Sequence, residues 1–583
     1  MFQSLFMTLV ASLPGGGDGA EPPKVQGGME LRVFPVHSLV GAYRRDSLPP
    51  FGRLLERVSW DRRLHEEQRA WMRDDPPRSS DWFSADDSPP MAGDVLVELI
   101  VKHFGDRGFD AGKGRVFYHD RSVVAVQKAG LLDEIRGFLE RMRLQVAPRI
   151  RYEYLLFEGK RSQAGGVAAG KYLLNGDAAR ALAARVRSGD LGGLIHESSA
   201  VGRPGDLVHL GELNRVVTQL DLNVEVANES SIADPIPRSL ILGQGIGLQS
   251  VVCPDGRSLA LFGLFTRRAV RGKVQTHDLV AKGLGMVEKV DIEELQSAFS
   301  LRLGEDGGVL LRPGRFTVLL LVTRLDPVPD MPSGEALLQT GLLASNSMTL
   351  EEMGLCGIEQ KAPMEPDLLF ETVRSLALDP EEEGSKLEIR VGSSHMLLFA
   401  EQQRISAARA LLAYLSKDKL RGYVVELRRE ARPRDDESTG WQRLGPDVAI
   451  PCLGGRLGFA MDGREESFIG DYDVEIAQKQ AIADPVPSSA WDGAQLVAAV
   501  DPVGEGCRVR IALLDRSLLE LRRIQAGAPE LGPISAPDSR EVTMQRAFSM
   551  KPGETRVLGD GPDREIEGLG RCRTRLTLRL EEL

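Results

Sequence analysis

Apolar residues recur along the chain at two spacings. Val95, Leu96, Leu99, Ile100 and Phe104 follow the helical period and predict a helix from Asp94 to Phe104. Short strand-like runs follow at Val116–Tyr118 and Val123–Val126, around a turn at His119-Asp120. Leu131, Ile135, Phe138, Leu139 and Met142 mark a second amphipathic helix, and Ile150–Phe157 reads as a further strand. A strand at Met29–Val36 comes first. Between it and Asp94 lies the polar, Pro-rich "RDDPPRSSDWFSADDSPP", which reads as part of a mobile loop. Helix, strand, strand, helix, strand predicts a small α+β module. Beyond it the chain turns β. Val216–Val226, Leu248–Val252, Leu259–Phe265, Phe299–Leu303, Val309–Leu311 and Phe316–Val322 alternate or run apolar, separated by turns such as "CPDGRS".

Both patterns occur twice. "VEVANESSIADPIPRS" (Val224 to Ser239) and "VEIAQKQAIADPVPSS" (Val474 to Ser489) share nine of sixteen residues at an offset of 250 without a gap. Leu248 and Pro254 match Leu496 and Pro502 at an offset of 248, and "QSAFSL" from Gln296 matches "QRAFSM" from Gln545 at 249. Upstream, "DVLVELIVKHF" from Asp94 pairs with "DLLFETVRSLA" from Asp367, and the strand-and-helix run from Val123 to Arg143 pairs with a run from Met396, both at 273. In that second helix Ile405, Ala408, Leu411, Leu412 and Leu415 form the apolar stripe, and Gly422–Leu427 repeats the closing strand. The expectation is an α+β module followed by a β-rich domain, duplicated. Proline fixes φ and holds its predecessor extended, so Asp234-Pro235 and Asp484-Pro485 read as a stiff turn or strand-edge segment.

These stretches resemble the bacterial secretins, ring-forming outer-membrane proteins of secretion and type IV pilus systems. Leu139-Glu140-Arg141-Met142-Arg143 resembles the end of the N-domain helix of that family. "DYDVEIAQKQAIADP" is similar to the start of its β-domain. "IEELQSAFSLRLGEDGGVLLRPG", with a turn at Glu305-Asp306-Gly307-Gly308, and the closing "FTVLLLVTRL" resemble its later strands. The family's Val-Pro…Gly…Pro…Gly…Leu-Phe run is not found, and "FGLF" (Phe262 to Phe265) lies before the turn instead of after it. The chain looks like a divergent, duplicated secretin of the planctomycete type.

The resemblance implies an α+β fold class, with two copies of a secretin N-domain-like module, each followed by a secretin-like β-rich domain. The expected divisions are 1–28, an export signal or frayed tail with a Gly/Pro-rich linker; 29–160, the first module with its insert at 42–92; 205–327, the first β-domain; 328–364, a linker; 365–432, the second module; and 440–583, the second β-domain. It implies a non-enzymatic cell-envelope protein, periplasmic or outer-membrane associated, in the assembly or framework of a secretion or pilus-type system. The partners would be further copies of the chain, as a ring, or other envelope proteins. Two alternatives remain: a soluble scaffold or binding protein that kept the fold and forms no pore, and an enzyme whose site is not recognised.

Composition narrows this further. A net charge of −11 over 583 residues argues against a polyanion binder, so no nucleic-acid partner is expected. The five cysteines are widely separated with no CxxC, which argues against a zinc or redox motif. No stretch reaches the eighteen or so apolar residues of a membrane helix, and no pair of alternating strands reads as long enough to cross lipid. A single copy is therefore not expected to span a membrane, though association with one is compatible. His65-Glu66-Glu67 lacks the second histidine of a zinc-protease helix. "GFDAGKGR" (Gly108 to Arg115) has the wrong spacing for a P-loop, "GQGIGL" at Gly243 has no helix after it, and "DPEEEG" (Asp379 to Gly384) reads as a solvated loop. No catalytic, cofactor-binding or metal-binding residue is nominated, and no cofactor is expected.

Overall fold

A computed structural model describes, short breaks aside, residues 24–36, 93–119, 122–158, 172–328, 335–339, 368–373, 388–399 and 402–583. The N-terminal candidate signal, the insert at 42–92 and the acidic run at 379–384 lie outside the described residues.

The first sheet contains β1 (Lys24–Val25), β2 (Met29–Pro35), β3 (Arg115–His119) and β4 (Ser122–Gln127), ordered β1-β2-β4-β3. Two helices cover one face, α1 (Gly93–Phe104) and α2 (Ala129–Val146). Their stripes meet the sheet as the spacing predicts: Leu96, Leu99, Ile100, Phe104, Phe138, Leu139 and Met142 share one core with Val123 and Ala125.

The next elements are β5 (Ile150–Glu158), β6 (Leu173–Asn175), α3 (Gly176–Arg187) and β7 (Gly193–Gly202). They are followed by β8 (Val208–Ala227), β9 (Ser230–Val252), β10 (Leu259–Val270), the small hairpin β11 (Gln275–Asp278) and β12 (Met286–Lys289), then β13 (Asp291–Leu303), β14 (Asp306–Leu311) and β15 (Phe316–Arg324). β5 was expected to close the α+β module. Instead it sits between β15 and β7 in a five-stranded sheet ordered β6-β14-β15-β5-β7. Alternation identifies a strand but not its neighbour, and here the neighbour comes from over a hundred residues away. The unassigned stretch after residue 160 supplies two more strands and a helix, whose Asn175 side chain caps the Ala178 N–H at 2.8 Å. β15 is continuously apolar from Val318 to Val322 because both faces are covered there. Val318, Leu320 and Val322 face the sandwich core, while Leu319 and Leu321 face α3.

A second module follows, with β16 (Glu335–Gln339), β17 (Glu388–Val391), β18 (His395–Phe399) and α4 (Gln402–Lys419). β16 falls in the expected linker, yet it pairs with β18 from Glu335↔Phe399 to Gln339↔His395. On α4, Ile405, Ala408 and Leu412 are buried, while Leu411 and Leu415 are only partly so. The remaining strands are β19 (Gly422–Pro433), β20 (Gln442–Leu453), β21 (Leu457–Ala477), β22 (Gln480–Val503), β23 (Gly506–Gln525), β24 (Pro533–Met550), β25 (Thr555–Ile566) and β26 (Gly570–Glu582).

The centre of the molecule is an antiparallel eight-stranded sheet ordered β24-β23-β22-β21-β13-β10-β9-β8. Its two halves are backed by different sheets. The five-stranded sheet covers the β8–β13 half. A four-stranded sheet ordered β20-β19-β26-β25 covers the β21–β24 half.

The short strands read from the sequence turn out to be pieces of long hairpins. β8, β9, β21 and β22 are 20, 23, 21 and 24 residues long. The Asp-Pro segments are not turns; both lie within strands. Asp234 pairs with Asn223 and Asp484 with Asp473, and each hairpin has a register shift at the same place, Gln219/Asp221 and Ile469/Asp471. The prolines are tolerated because β9 meets β10 only over Gly243–Val252, and β22 meets β23 only over Gly493–Val503. At the proline positions each strand is therefore paired on one side, where a missing N–H is harmless.

Leu139, 6% exposed in the first core, gives a direct check. Leu139→Ala should lower the stability of that module by about 2–5 kcal/mol. Tyr414→Ala, at a residue 69% exposed on α4, should change stability by less than about 0.5 kcal/mol. Denaturant melts read out both.

Candidate assembly interface

The two halves of the large sheet meet at one junction, β13 against β21. Eight residue pairs form it, from Asp291↔Glu466 to Ala298↔Phe459. Just before β13 the ladder passes to side chains. Ser467 Oγ accepts from the Val290 N–H at 2.8 Å and donates to the Val290 carbonyl at 3.0 Å, so one hydroxyl replaces a backbone partner in a buried position. Lys289 Nζ reaches Glu466 at 2.9 Å beside it. Glu465 accepts from Ser489 Oγ at 2.6 Å and lies 3.7 Å from the buried Arg268. Glu294, 2% exposed, accepts from Gln296. At the far end Leu453 N donates to Ser300 Oγ at 2.9 Å, tying β20 to β13. The large majority of buried polar groups in folded proteins are partnered in this way.

A second polar cluster lies within the β21–β24 half. Asp515, fully buried, accepts from Arg564 Nη2 at 2.7 Å and lies 3.8 Å from Arg429. Arg564 Nη1 also donates to Asp492 at 3.0 Å, and Arg464 approaches the same carboxylate at 3.3 Å. Burial pushes the Asp515 carboxyl above its ordinary range despite the two guanidiniums. The cluster stitches β19 and β25 of the covering sheet to β21, β22 and β23. It contains no histidine, cysteine or hydroxyl group.

The outer strands of the large sheet differ sharply from the junction. Along β24, Ser539, Arg540, Glu541, Thr543, Gln545, Arg546, Ala547 and Ser549 are exposed. On β8, Gly211, Glu212, Asn214, Val216 and Val217 are exposed, Val217 at 62%. His209, at the inner end of β8, is pushed down to a pKa of about 4 by burial.

No site residues were nominated from the sequence, and the motifs weighed there find ordinary places. The "GQGIGL" run is extended strand within β9, paired with both β8 and β10, so no phosphate loop exists there. His65-Glu66-Glu67 and most of "GFDAGKGR" lie outside the described residues. Cys253, Cys452, Cys507 and Cys572 are buried free thiols, and burial raises Cys253 and Cys452 to about 12. Among the described residues no group of three or more His, Cys, Asp or Glu could hold a metal ion, and no helix is long and apolar enough to cross a membrane. An open cleft of about 540 Å³ is lined by Arg302, Lys417 and Arg421, of which Arg302 is paired with Asp255 at 2.8 Å and Arg421 with Glu582 at 3.9 Å. The sequence reading missed the role of Ser467 and of the β24 edge. The recurring "QSAFS"/"QRAFS" was the available signal for β24.

No protein-family model matches the chain, and no curated protein does. Solved structures similar to it include the InvG secretin-domain β-barrel of the Salmonella SPI-1 injectisome, 8% identical, covering 43% of this chain and 89% of that one, with a TM-score of 0.20. Aeromonas hydrophila ExeD is 11% identical and covers 95% of this chain and 90% of that one at a TM-score of 0.17. The type II secretion secretin GspD of E. coli K12 is 9% identical over the same shares at 0.18. Scores of this size fix neither the family nor the assembly.

Two measurements address the site. Ser467→Ala leaves the Val290 N–H and carbonyl without the hydroxyl that satisfies them; a loss of about 1–3 kcal/mol is expected in a denaturant melt. The second concerns His209. Its folded pKa of about 4 lies below the ordinary 6.5, so between those values the unfolded chain binds a proton that the folded chain does not. Its contribution is complete above pH 6.5 and is lost as the pH falls toward 4, a total of about 3 kcal/mol. His209→Gln should flatten that part of the stability–pH curve.

Proposed function

We propose that this chain is a non-enzymatic, secretin-like cell-envelope component, built from two fused copies of one unit, which associates with further copies of itself within a protein secretion or pilus-type system. The observation that carries the reading is the repeated ladder. The β8–β9 and β21–β22 hairpins share one register at an offset of 250, including the shift at Gln219/Asp221 and Ile469/Asp471. The covering sheets agree: β7-β5-β15-β14 on one half has the order of β20-β19-β26-β25 on the other. On this reading each unit comprises an α+β module, a covering sheet and four strands of the central sheet. The units divide near Arg324, after β15. The stretch read as similar to the secretins, "DYDVEIAQKQAIADP", then spans the facing ends of β21 and β22.

A second reading, a soluble scaffold without a pore, is favoured by one feature. The distal ends of β23 and β24 are charged and exposed, with Arg522, Arg523, Arg540 and Glu541 all at the surface. A strand facing lipid needs an apolar outward face. A lone chain also leaves both outer edges of its sheet unpaired, which lipid does not tolerate.

Fractionation and size measurement separate the two readings. The envelope reading expects the native protein with the cell envelope, as a multimer whose mass rises with concentration. A monomer at every concentration, found only with soluble proteins, would favour the scaffold. In either case dilute monomer should leave dye-loaded liposomes sealed; dye release by the monomer would show that a single chain spans lipid.

A further inference from the structure

We propose that β24 of one chain pairs antiparallel with β8 of a second copy, in the register that β13 and β21 use within the chain. The inference rests on the self-associating reading above and specifies its surface. Strand direction permits it. All eight strands alternate, so β24 and β8 run in opposite senses, as antiparallel partners must.

The sequence supports it independently. β13 and β24 carry the same run, Gln296-Ser297-Ala298-Phe299-Ser300 and Gln545-Arg546-Ala547-Phe548-Ser549. In β13 these five residues are 9%, 4%, 3%, 3% and 2% exposed: the first three pair with β21, Phe299 lies in the sandwich core, and Ser300 accepts from Leu453 N of β20. In β24 the copies of Gln296, Ser297, Ala298 and Ser300 are all exposed. β8 and β21 likewise occupy the same place in their hairpins, yet β21 has β13 paired on its outer side, whereas among the described residues no strand is hydrogen-bonded to β8 there. Each chain therefore carries one completed junction and the two separated halves of another. An exposed edge of this length is a template for a further strand.

The internal junction fixes the alignment. Adding 249 to Asp291–Ala298 gives Arg540–Ala547, and subtracting 250 from Glu466–Phe459 gives Val216–His209. Arg540 then lies opposite Val216, Val542 opposite Asn214 and Ala547 opposite His209. The contact is head to tail, so each addition leaves the same two edges free until a ring closes.

Cysteines read the register directly, in the full chain with Cys356→Ser as background. The matched pair is Asn214→Cys with Val542→Cys; the control, Asn214→Cys with Arg546→Cys, is out of register by four residues. Mild oxidation should give a ladder of covalent dimers, trimers and larger species with the matched pair and roughly tenfold less with the control, because a disulfide needs its Cβ atoms close. In the unsubstituted protein, association should slow amide exchange in 209–216 and 540–547 together, which holds even where a cysteine variant folds badly. Multimers without the matched cross-link and without that joint protection would overturn this pairing and leave the self-associating reading standing. Protection of one edge alone would show that like edges pair with each other, and would also overturn the pairing. A monomer under all conditions would overturn both.

Discussion

One set of backbone hydrogen bonds, between β13 and β21, decides the form of this molecule. Without it the chain would be two β-sandwiches joined by the linking segment and the second module. With it, the inner layers fuse into one sheet of eight strands, and each half keeps its own cover. The junction is short, eight residue pairs against the twelve of β10–β13 and the twenty of β21–β22 that it joins. Its strength lies in what surrounds it: β13 is almost wholly buried, and a hydroxyl, an amine and a carboxylate satisfy the groups the ladder leaves over.

Charge is distributed accordingly. Ion pairs at the surface, such as Arg143 with Glu140, contribute little. Buried ones act as constraints, because separating the partners would strand a charge away from water. The Asp515–Arg564–Asp492 group therefore holds the covering sheet in one position over β22 and β23. At the other end Arg149 grips Asp326 through its side chain and its own N–H, and Arg324 donates to the Leu144 and Gly256 carbonyls, so the end of α2 is fixed to the first sandwich.

Helices with one strong stripe were legible from sequence. Leu96, Leu99, Ile100, Phe138 and Met142 needed only their spacing. α3 was missed because its buried stripe is Ala179, Leu182, Ala183 and Val186, two of them too small to stand out, although the Asn175 cap was there to be read. Strands were found but cut short. The bulge at Gln219/Asp221 shifts the alternation by one residue, and Pro235 and Pro237 look like turn residues until one knows that their strand has a single neighbour. The repeat showed that two stretches are alike. It did not show which edge of each finds a partner, since that depends on pairing between residues some 170 positions apart.

The same prolines have a further effect. A row of long antiparallel strands invites its neighbours to zip together along their whole length, and with more chains that becomes a fibril. Pro235, Pro237, Pro485 and Pro487 occupy alternate positions in the singly paired stretches, so each pair removes two donors from one side of its ribbon. A third strand climbing that side would meet gaps instead of hydrogen bonds. The broad sheet thus has a ceiling, set near Gly243 and Gly493, above which it ends in two-stranded fingers. On the pairing proposed above, growth is open sideways, through the outer strands below that ceiling, and closed upward.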